Sequence, residues 1–269
     1  MGSVERHYAV GNILDGIRSA LDKEGPVSVD DLKAVDEFHI GGRIASERFF
    51  SRLGFTKGQN ILDIGAGIGG GARFAADRFG VNVTGVDLTP EYVEVGEELN
   101  RWSGMEGRVK LEVGDATDLR FPDASFDGAF TMHVLMNVSD KAKVFSEVFR
   151  VLRPGSVFGI YDVVKYGKGE IRFPVPWATD ASESFLATID EYKKGLESAG
   201  FEVDSVTDRY EFGVEFFTSV RDKLRAAGGP PPLGIHLLMG SNAPEKVENI
   251  TENLLAGLVA PADIIVRKP

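Results

Sequence analysis

The stretch NILDIGAGIGGGARFAADRFG, residues 60–80, carries glycines at 65, 67, 69, 70 and 71 between an apolar β-rich run and an amphipathic helical pattern. A strand that enters such a turn and leaves as a helix brings backbone N–H groups to the helix start, where a ligand can approach without meeting side chains. This feature commits the chain to an α/β fold with its chemistry beyond the strand's carboxyl end. No Lys-Ser/Thr pair follows the glycines, which disfavours a nucleoside triphosphate. Gly65, Gly67 and Gly70 satisfy the G-x-G-x-x-G spacing of dinucleotide sites, and Asp87 ends the next strand where an acid would accept ribose hydroxyls. Other adenosine-bearing cofactors have the same two needs, so the turn by itself leaves the ligand open.

From residue 60 to 163 β-rich and helical runs alternate: NILDI, GGARFAADRFG, VNVTGVD, PEYVEVGEELNRWSG, VKLEVGD, FDGAFTM, DKAKVFSEVFRVLRPG and VFGIYDVV. The order predicts a parallel sheet with helices on both faces. Residues 1–57 read as a helical lid leading into the sheet, with a Gly41-Gly42 turn before an amphipathic helix, and 58–269 as the main domain. Within the latter, 165–190 and 211–258 read as cap segments. The second of these is helical, broken at GGPPPLG, and followed by a last strand, ADIIVRK.

Charge and composition narrow the function. Forty-one acidic against thirty basic residues give a net charge of -11, which repels a phosphate backbone and argues against nucleic acid. Cysteine is absent, so thiolate catalysis and cysteine-ligated metals are excluded, and the four scattered histidines show no metal-ligand spacing. The start lacks a signal peptide's apolar centre, and the apolar region from Leu254 is cut by Pro261 and Asp263, short of a membrane span. The expectation is a cytoplasmic protein without metal, nucleic-acid or membrane partners; a homodimer is compatible with the sequence.

The strands after the glycine turn add VGDATDL, with Asp115 past the third strand, then FPDASFDGAFTMHVLMNV and VLRPGSVFGIYDVV. In this series the chain resembles the class I S-adenosylmethionine-dependent methyltransferases, over about residues 38–165 in motifs and to the end in architecture. The resemblance implies a Rossmann-like, seven-stranded, mostly parallel sheet closed by an antiparallel last strand, with S-adenosylmethionine as cofactor. It assigns Asp63, Gly65, Ala66, Gly67 and Gly69 to the methionine part, and Asp87 to the ribose hydroxyls. Leu88, Asp115 and Ala116 fall to the adenine, and Met132 and His133 to the neighbourhood of the sulfonium. The runs DEFHIGGRIASERFF and MHVLMNVSDK are similar to a small-molecule branch that includes sarcosine and dimethylglycine, phosphoethanolamine, and tocopherol or ubiquinone methyltransferases. There Phe38, Ile40 and Gly42 match a lid element crossing the cofactor.

Methyl transfer is an in-line displacement in which alignment and a dry site supply most of the catalysis. A base matters only if the acceptor must lose a proton, and His133, Tyr161 and Asp162 are the candidates at the strand ends. Tyr161, Arg172, Trp177, His236 and Met239 are candidates for substrate contact: an aromatic ring for a cationic amine, Arg172 for a carboxylate or phosphate. The leading expectation is a small-molecule acceptor with an amine nitrogen. The alternatives are C- or O-methylation of an apolar metabolite and, from another class, a nicotinamide-dependent oxidoreductase.

Overall fold

The computed structural model describes residues 13–21, 23, 25–240 and 242–269; residues 1–12 of the expected lid lie outside the described residues. Seven strands form one sheet: β1 (Asn60–Ile64), β2 (Asn82–Asp87), β3 (Val109–Val113), β4 (Phe126–Met132), β5 (Leu152–Lys165), β6 (Glu202–Asp208) and β7 (Val259–Arg267). Their order is β3-β2-β1-β4-β5-β7-β6, with β1 to β5 paired in parallel and β7 antiparallel to both its neighbours. This is the expected Rossmann-like sheet with its antiparallel last strand. The order reverses between β1 and β4, so the loops that leave these two strands diverge and open a crevice at their carboxyl ends.

The inner strands read as apolar runs because both their faces are covered. Residues 61–64 of β1 and 259–266 of β7 are buried. One charge in β7, Asp263, is matched by Arg52 Nη1 at 2.7 Å and Arg209 Nη2 at 2.6 Å, which is how a carboxylate is tolerated on a central strand. β5 starts earlier than VFGIYDVV suggests, at Leu152, directly after the helix Lys141–Val151. Leu152 pairs with Phe126 and Val157 with Gly128, so the register jump contains Pro154, which has no N–H to give to a ladder.

Helices α1 (Ile13–Leu21), α2 (Val29–Asp36) and α3 (Gly42–Phe50) precede the sheet; α4 (Gly70–Phe79) and α5 (Pro90–Trp102) link β1 to β2 and β2 to β3. α6 (Lys141–Val151) and α7 (Ile189–Ser198) cover the opposite face, where Phe145, Val148, Tyr192 and Leu196 meet Leu62, Phe158 and Ile160. On the α4 side Phe50 meets Phe130 edge-to-face at 4.8 Å, a geometry that adds about 0.5–1.5 kcal/mol to the area buried. A cap of α8 (Tyr210–Ala227), α9 (His236–Met239) and α10 (Ala243–Leu255) packs with the 166–188 loop around Val163, Trp177, Phe217 and Ile250. Among the described residues no helix is long and apolar enough to cross a membrane.

The segment before the sheet is seated on the glycine turn. α2 opens with a Ser28–Asp31 capping box and ends at Asp36, a buried carboxylate. Arg73 of α4, fully buried, donates to it through Nε at 3.1 Å and through Nη2, while Nη1 reaches Asn100 Oδ1 of α5 at 3.0 Å. At Gly70 a Cβ would stand 2.2 Å from the Asp36 carbonyl oxygen, so glycine permits the approach. Replacing Asp36 by Ala strands the Arg73 guanidinium inside the protein. The expected cost is roughly 3–5 kcal/mol, seen as a fall in thermal midpoint on the order of 10 °C by circular dichroism.

Candidate functional site

A cavity of about 580 Å³ opens at the carboxyl ends of β1, β2 and β4. Its polar arm is made by the turn after β1. Gly65 (φ +70°) donates to Val86 O at 2.8 Å, and a Cβ there would lie 2.4 Å from the methyls of Val134. Gly67 (φ +55°) donates its N–H to Asp87 Oδ2 at 2.7 Å, and a Cβ there would meet nothing within 4 Å. Glycine at 67 therefore supplies both the left-handed backbone and open space on the cavity side. The second Asp87 oxygen accepts from Thr89 N–H at 2.9 Å.

Electrostatically this arm is acidic. Burial raises the Asp87 carboxyl above its ordinary range, against the opposing hydrogen bonds from Thr89 and Gly67. Burial, helped by the neighbouring Asp87 charge, pushes Asp63 well above it. Past β3 the Asp115 carboxylate accepts from Thr117 N–H and Oγ1, both at 2.7 Å, while Leu88, beside the cavity, stays 43% exposed.

The second arm is bounded by His133 and the cap. His133 follows β4 with φ +55°, its N–H bonded to Tyr161 O at 2.7 Å. A left-handed non-glycine residue at a strand end stores strain of the kind that active sites hold. Its ring lies 5.2 Å from that of Tyr161 and 5.9 Å from that of His39, and its buried Nε2 has no hydrogen-bond partner among the described residues. Burial, with His39 adding to it, lowers the His133 pKa well below the usual value, so the ring is neutral at pH 7.

His39 is held from behind. Its Nε2 lies 2.9 Å from Glu37 Oε2 and 3.1 Å from Ser46 Oγ, and Ser46 Oγ donates to the same carboxylate oxygen at 2.5 Å. Arg43 Nε approaches Glu37 Oε1 at 2.8 Å. Burial would raise the Glu37 carboxyl, but the contacts from His39, Ser46 and Arg43 outweigh it and hold it below its ordinary value.

Of the residues expected at the site, Phe38, Ile40, Asp63, Gly65, Ala66, Gly67, Asp87, Leu88, Asp115, Ala116, Met132 and His133 line the cavity, with Trp177 and Met239 from the cap. Gly42, Gly69, Tyr161, Asp162, Arg172 and His236 do not. Gly42 begins α3, and Gly69 (φ +82°) caps α4. Tyr161 is clamped to the lid, its hydroxyl donating to Ile40 O at 2.8 Å, and burial pushes its phenol well above the usual range. Strand alternation turns Asp162 to the other face of the sheet, where Tyr192 of α7 donates to it at 2.6 Å. Arg172 is fixed through its main chain by both ends of the Asn253 amide, each at 2.9 Å. His236 opens α9, whose Leu238 and Met239 face the cavity in its place. Glu37 and His39 carry no sequence signal beyond their place in DEFHIGG, Asn137 none beyond MHVLMNVSDK, and Phe216 and Phe217 none beyond an apolar helix face.

The sheet order and the two-armed cavity define a cofactor-binding α/β enzyme fold of the methyltransferase type. The methyltransferase-domain family profile matches residues 62–160. The methyltransferase GfsG of Streptomyces halstedii is 30% identical over 66% of this chain and 65% of its own length. The O-methyltransferase resE of Aspergillus sclerotiorum is 33% identical over 68% of this chain and 67% of its own. The chain thus spans about two thirds of the length of these curated relatives. In architecture it is similar to a crystal structure of a sarcosine dimethylglycine methyltransferase from Galdieria sulphuraria, with TM-score 0.69 at 24% identity over 83% of this chain and 84% of that one. The chain belongs to the class I S-adenosylmethionine-dependent methyltransferases.

Asp162 yields a pH test. Burial raises its carboxyl from 3.8 to about 6, against the hydrogen bonds from Tyr192 and Val163. The folded state then holds a proton that the unfolded state has lost between those two values, so stability falls as pH rises across the window. Above about pH 6 the buried carboxylate costs about 3 kcal/mol. Asp162→Asn is expected to raise the urea midpoint at pH 8 and to leave it nearly unchanged at pH 4, as followed by intrinsic fluorescence.

Proposed function

We propose that this protein transfers the methyl group of S-adenosylmethionine to a small apolar acceptor. The observation that carries the reading is the division of the cavity. Its polar arm ends in Gly67, Asp87 and Asp115; its other arm is walled by Trp177, Phe216, Phe217, Met239 and Ile250.

The polar arm fits the cofactor. The space beside Gly67 admits a ligand against the backbone, Asp87 is fixed by two N–H groups for ribose hydroxyls, and Leu88 and Ala116 offer apolar contact to a purine. When bound, the cofactor supplies a methyl group already activated by a sulfonium. The chain's part is to orient the acceptor and exclude water, which can lower the barrier by about 7–11 kcal/mol.

The expected amine acceptor has weaker support than the alternative. Asp63, Asp87 and Asp115 belong to the strand ends of the cofactor arm, Asp36 is held by Arg73, Asp140 and Lys143 stand at the start of α6, and Arg172 is outside the cavity. An amino acid or a phosphoamine would leave its charges unpaired against aromatic walls, at a cost of several kcal/mol. An apolar acceptor fits without that cost; two relatives bear the name O-methyltransferase and three the name phosphoethanolamine N-methyltransferase, so the cavity walls and not the names carry the choice.

Isothermal titration tests the reading: saturable binding of S-adenosylhomocysteine and none of NAD is expected. NAD binding alone would overturn it. Gly67→Ala forces a side chain into the left-handed region and into the ligand space, so it is expected to lose about 1–2 kcal/mol of stability and at least tenfold in S-adenosylhomocysteine affinity.

A further inference from the structure

We propose that His39 takes the proton from a hydroxyl on the acceptor, with Glu37 as its positioning residue, so that the reaction is O-methylation of an apolar phenol or alcohol. The inference rests on the methyltransferase reading above.

The hydrogen-bond arrangement fixes which imidazole nitrogen is free. Ser46 gives its only hydroxyl proton to Glu37, so the lone pairs of Ser46 and the carboxylate of Glu37 both face His39 Nε2. Two acceptors at one nitrogen require that nitrogen to carry the hydrogen. In the neutral ring the lone pair therefore sits on Nδ1, and the nearest protein atom offered to it is another acceptor, Ile40 O at 3.5 Å. A bare nitrogen gains nothing from that carbonyl. A protonated one donates to it, and the Glu37 carboxylate then balances the imidazolium across the ring.

A second observation points to the same ligand. His133 Nε2, buried on the same cavity wall, has no partner, and the two rings stand 5.9 Å apart. A hydrocarbon there would leave both histidines unsatisfied, while a hydroxyl serves both. The titratable groups facing His39 are Glu37, with Arg43 behind it, from the lid, His133 from the end of β4 and Tyr161 from β5. Glu37 is already shared among Arg43, Ser46 and His39. In the step, the acceptor's O–H bond breaks with its proton passing to His39 Nδ1, and an oxygen lone pair forms the new bond to the methyl carbon. The carbon–sulfur bond of the sulfonium donor breaks with its electron pair remaining on sulfur, giving an ether, a neutral thioether and one proton on the histidine.

The test uses 4-nitrophenol, whose anion absorbs in the visible, with 4-nitroanisole as the matched probe that has no proton to lose. In the complex of the full chain with S-adenosylhomocysteine, the bound phenol is expected to ionise at a proton concentration at least about tenfold higher than the free phenol. His39→Asn is expected to remove this displacement, and Glu37→Gln to reduce it, with 4-nitroanisole and S-adenosylhomocysteine binding kept in both as the control for folding. With S-adenosylmethionine the product is 4-nitroanisole, and His39→Asn lowers kcat about 10²–10⁴-fold. A displacement equal in wild type and His39→Asn overturns the inference, as does methylation of 4-nitroaniline in preference to 4-nitrophenol. Wild type that binds S-adenosylhomocysteine and 4-nitroanisole but shows no displacement sinks the inference alone. Wild type that fails to bind S-adenosylhomocysteine sinks the methyltransferase reading with it.

Discussion

The left-handed turn between β1 and α4 is the constraint that the remainder of the molecule accommodates. Gly65 cannot gain a side chain without striking Val134 in the loop that carries His133, and Gly70 cannot gain one without striking the lid backbone at Asp36. The Gly67 N–H is tied to the carboxylate that ends β2. Through these contacts the turn sets the spacing of three separate segments: the lid, the end of β2 and the loop after β4. The ligand space at Gly67 is what remains when all three have closed on it. At Gly70 backbone meets backbone, and at Gly65 the turn meets the Val134 side chain close to its own backbone, so neither contact relaxes by a simple shift of a helix.

The cavity also separates charge. Asp63, buried, and Asp87, half-buried, stand on one arm, each with its carboxyl raised by desolvation. His133, on the other, is held neutral by burial. Carboxylates stand where the cofactor reading requires hydroxyl and cationic partners, and neutral nitrogens where it requires a proton to move. The exception to this economy is Asp162, whose neighbour Tyr161 is on the cavity side of the same strand. Its charge has Tyr192 for company instead of a ligand, which is why burial dominates its titration.

Much of this was legible in the sequence, for a physical reason. Strands buried on both faces and helices buried on one leave periodic signals, and residues that line one cavity at the sheet's carboxyl edge sit at fixed offsets from strand ends, as Asp63, Asp87 and Asp115 do. What the sequence hid depends on contacts between distant segments. Asp162 looked as functional as Tyr161, since a charged residue beside an apolar run gives no hint of which sheet face it takes. His39 was passed over because nothing in DEFHIGG says that Glu37 and Ser46 turn its Nε2 inward. Arg73 reads as an ordinary helix-surface arginine until Asp36 folds over it. The cap was the least legible. The amide groups of Asn249 and Asn253 fix the Pro174 and Arg172 backbone of the loop that carries Trp177, and amide-to-backbone bonds leave no motif.

The same contacts decide how the cavity communicates with solvent. Lifting the lid would strip Arg73 from Asp36, part Gly70 from the Asp36 backbone and break the bond from Tyr161 to Ile40. The cap is held by apolar side chains and by single amide bonds such as Asn249 to Pro174 O, each worth about 1 kcal/mol. The glycines at 228 and 229 and the prolines that follow interrupt its helices on the outer side, so its parts can move without unwinding the sheet. The cheaper way to the apolar arm is past the cap. His39 and Glu37 ride on the element that stays shut, which keeps the base aligned while the acceptor comes and goes.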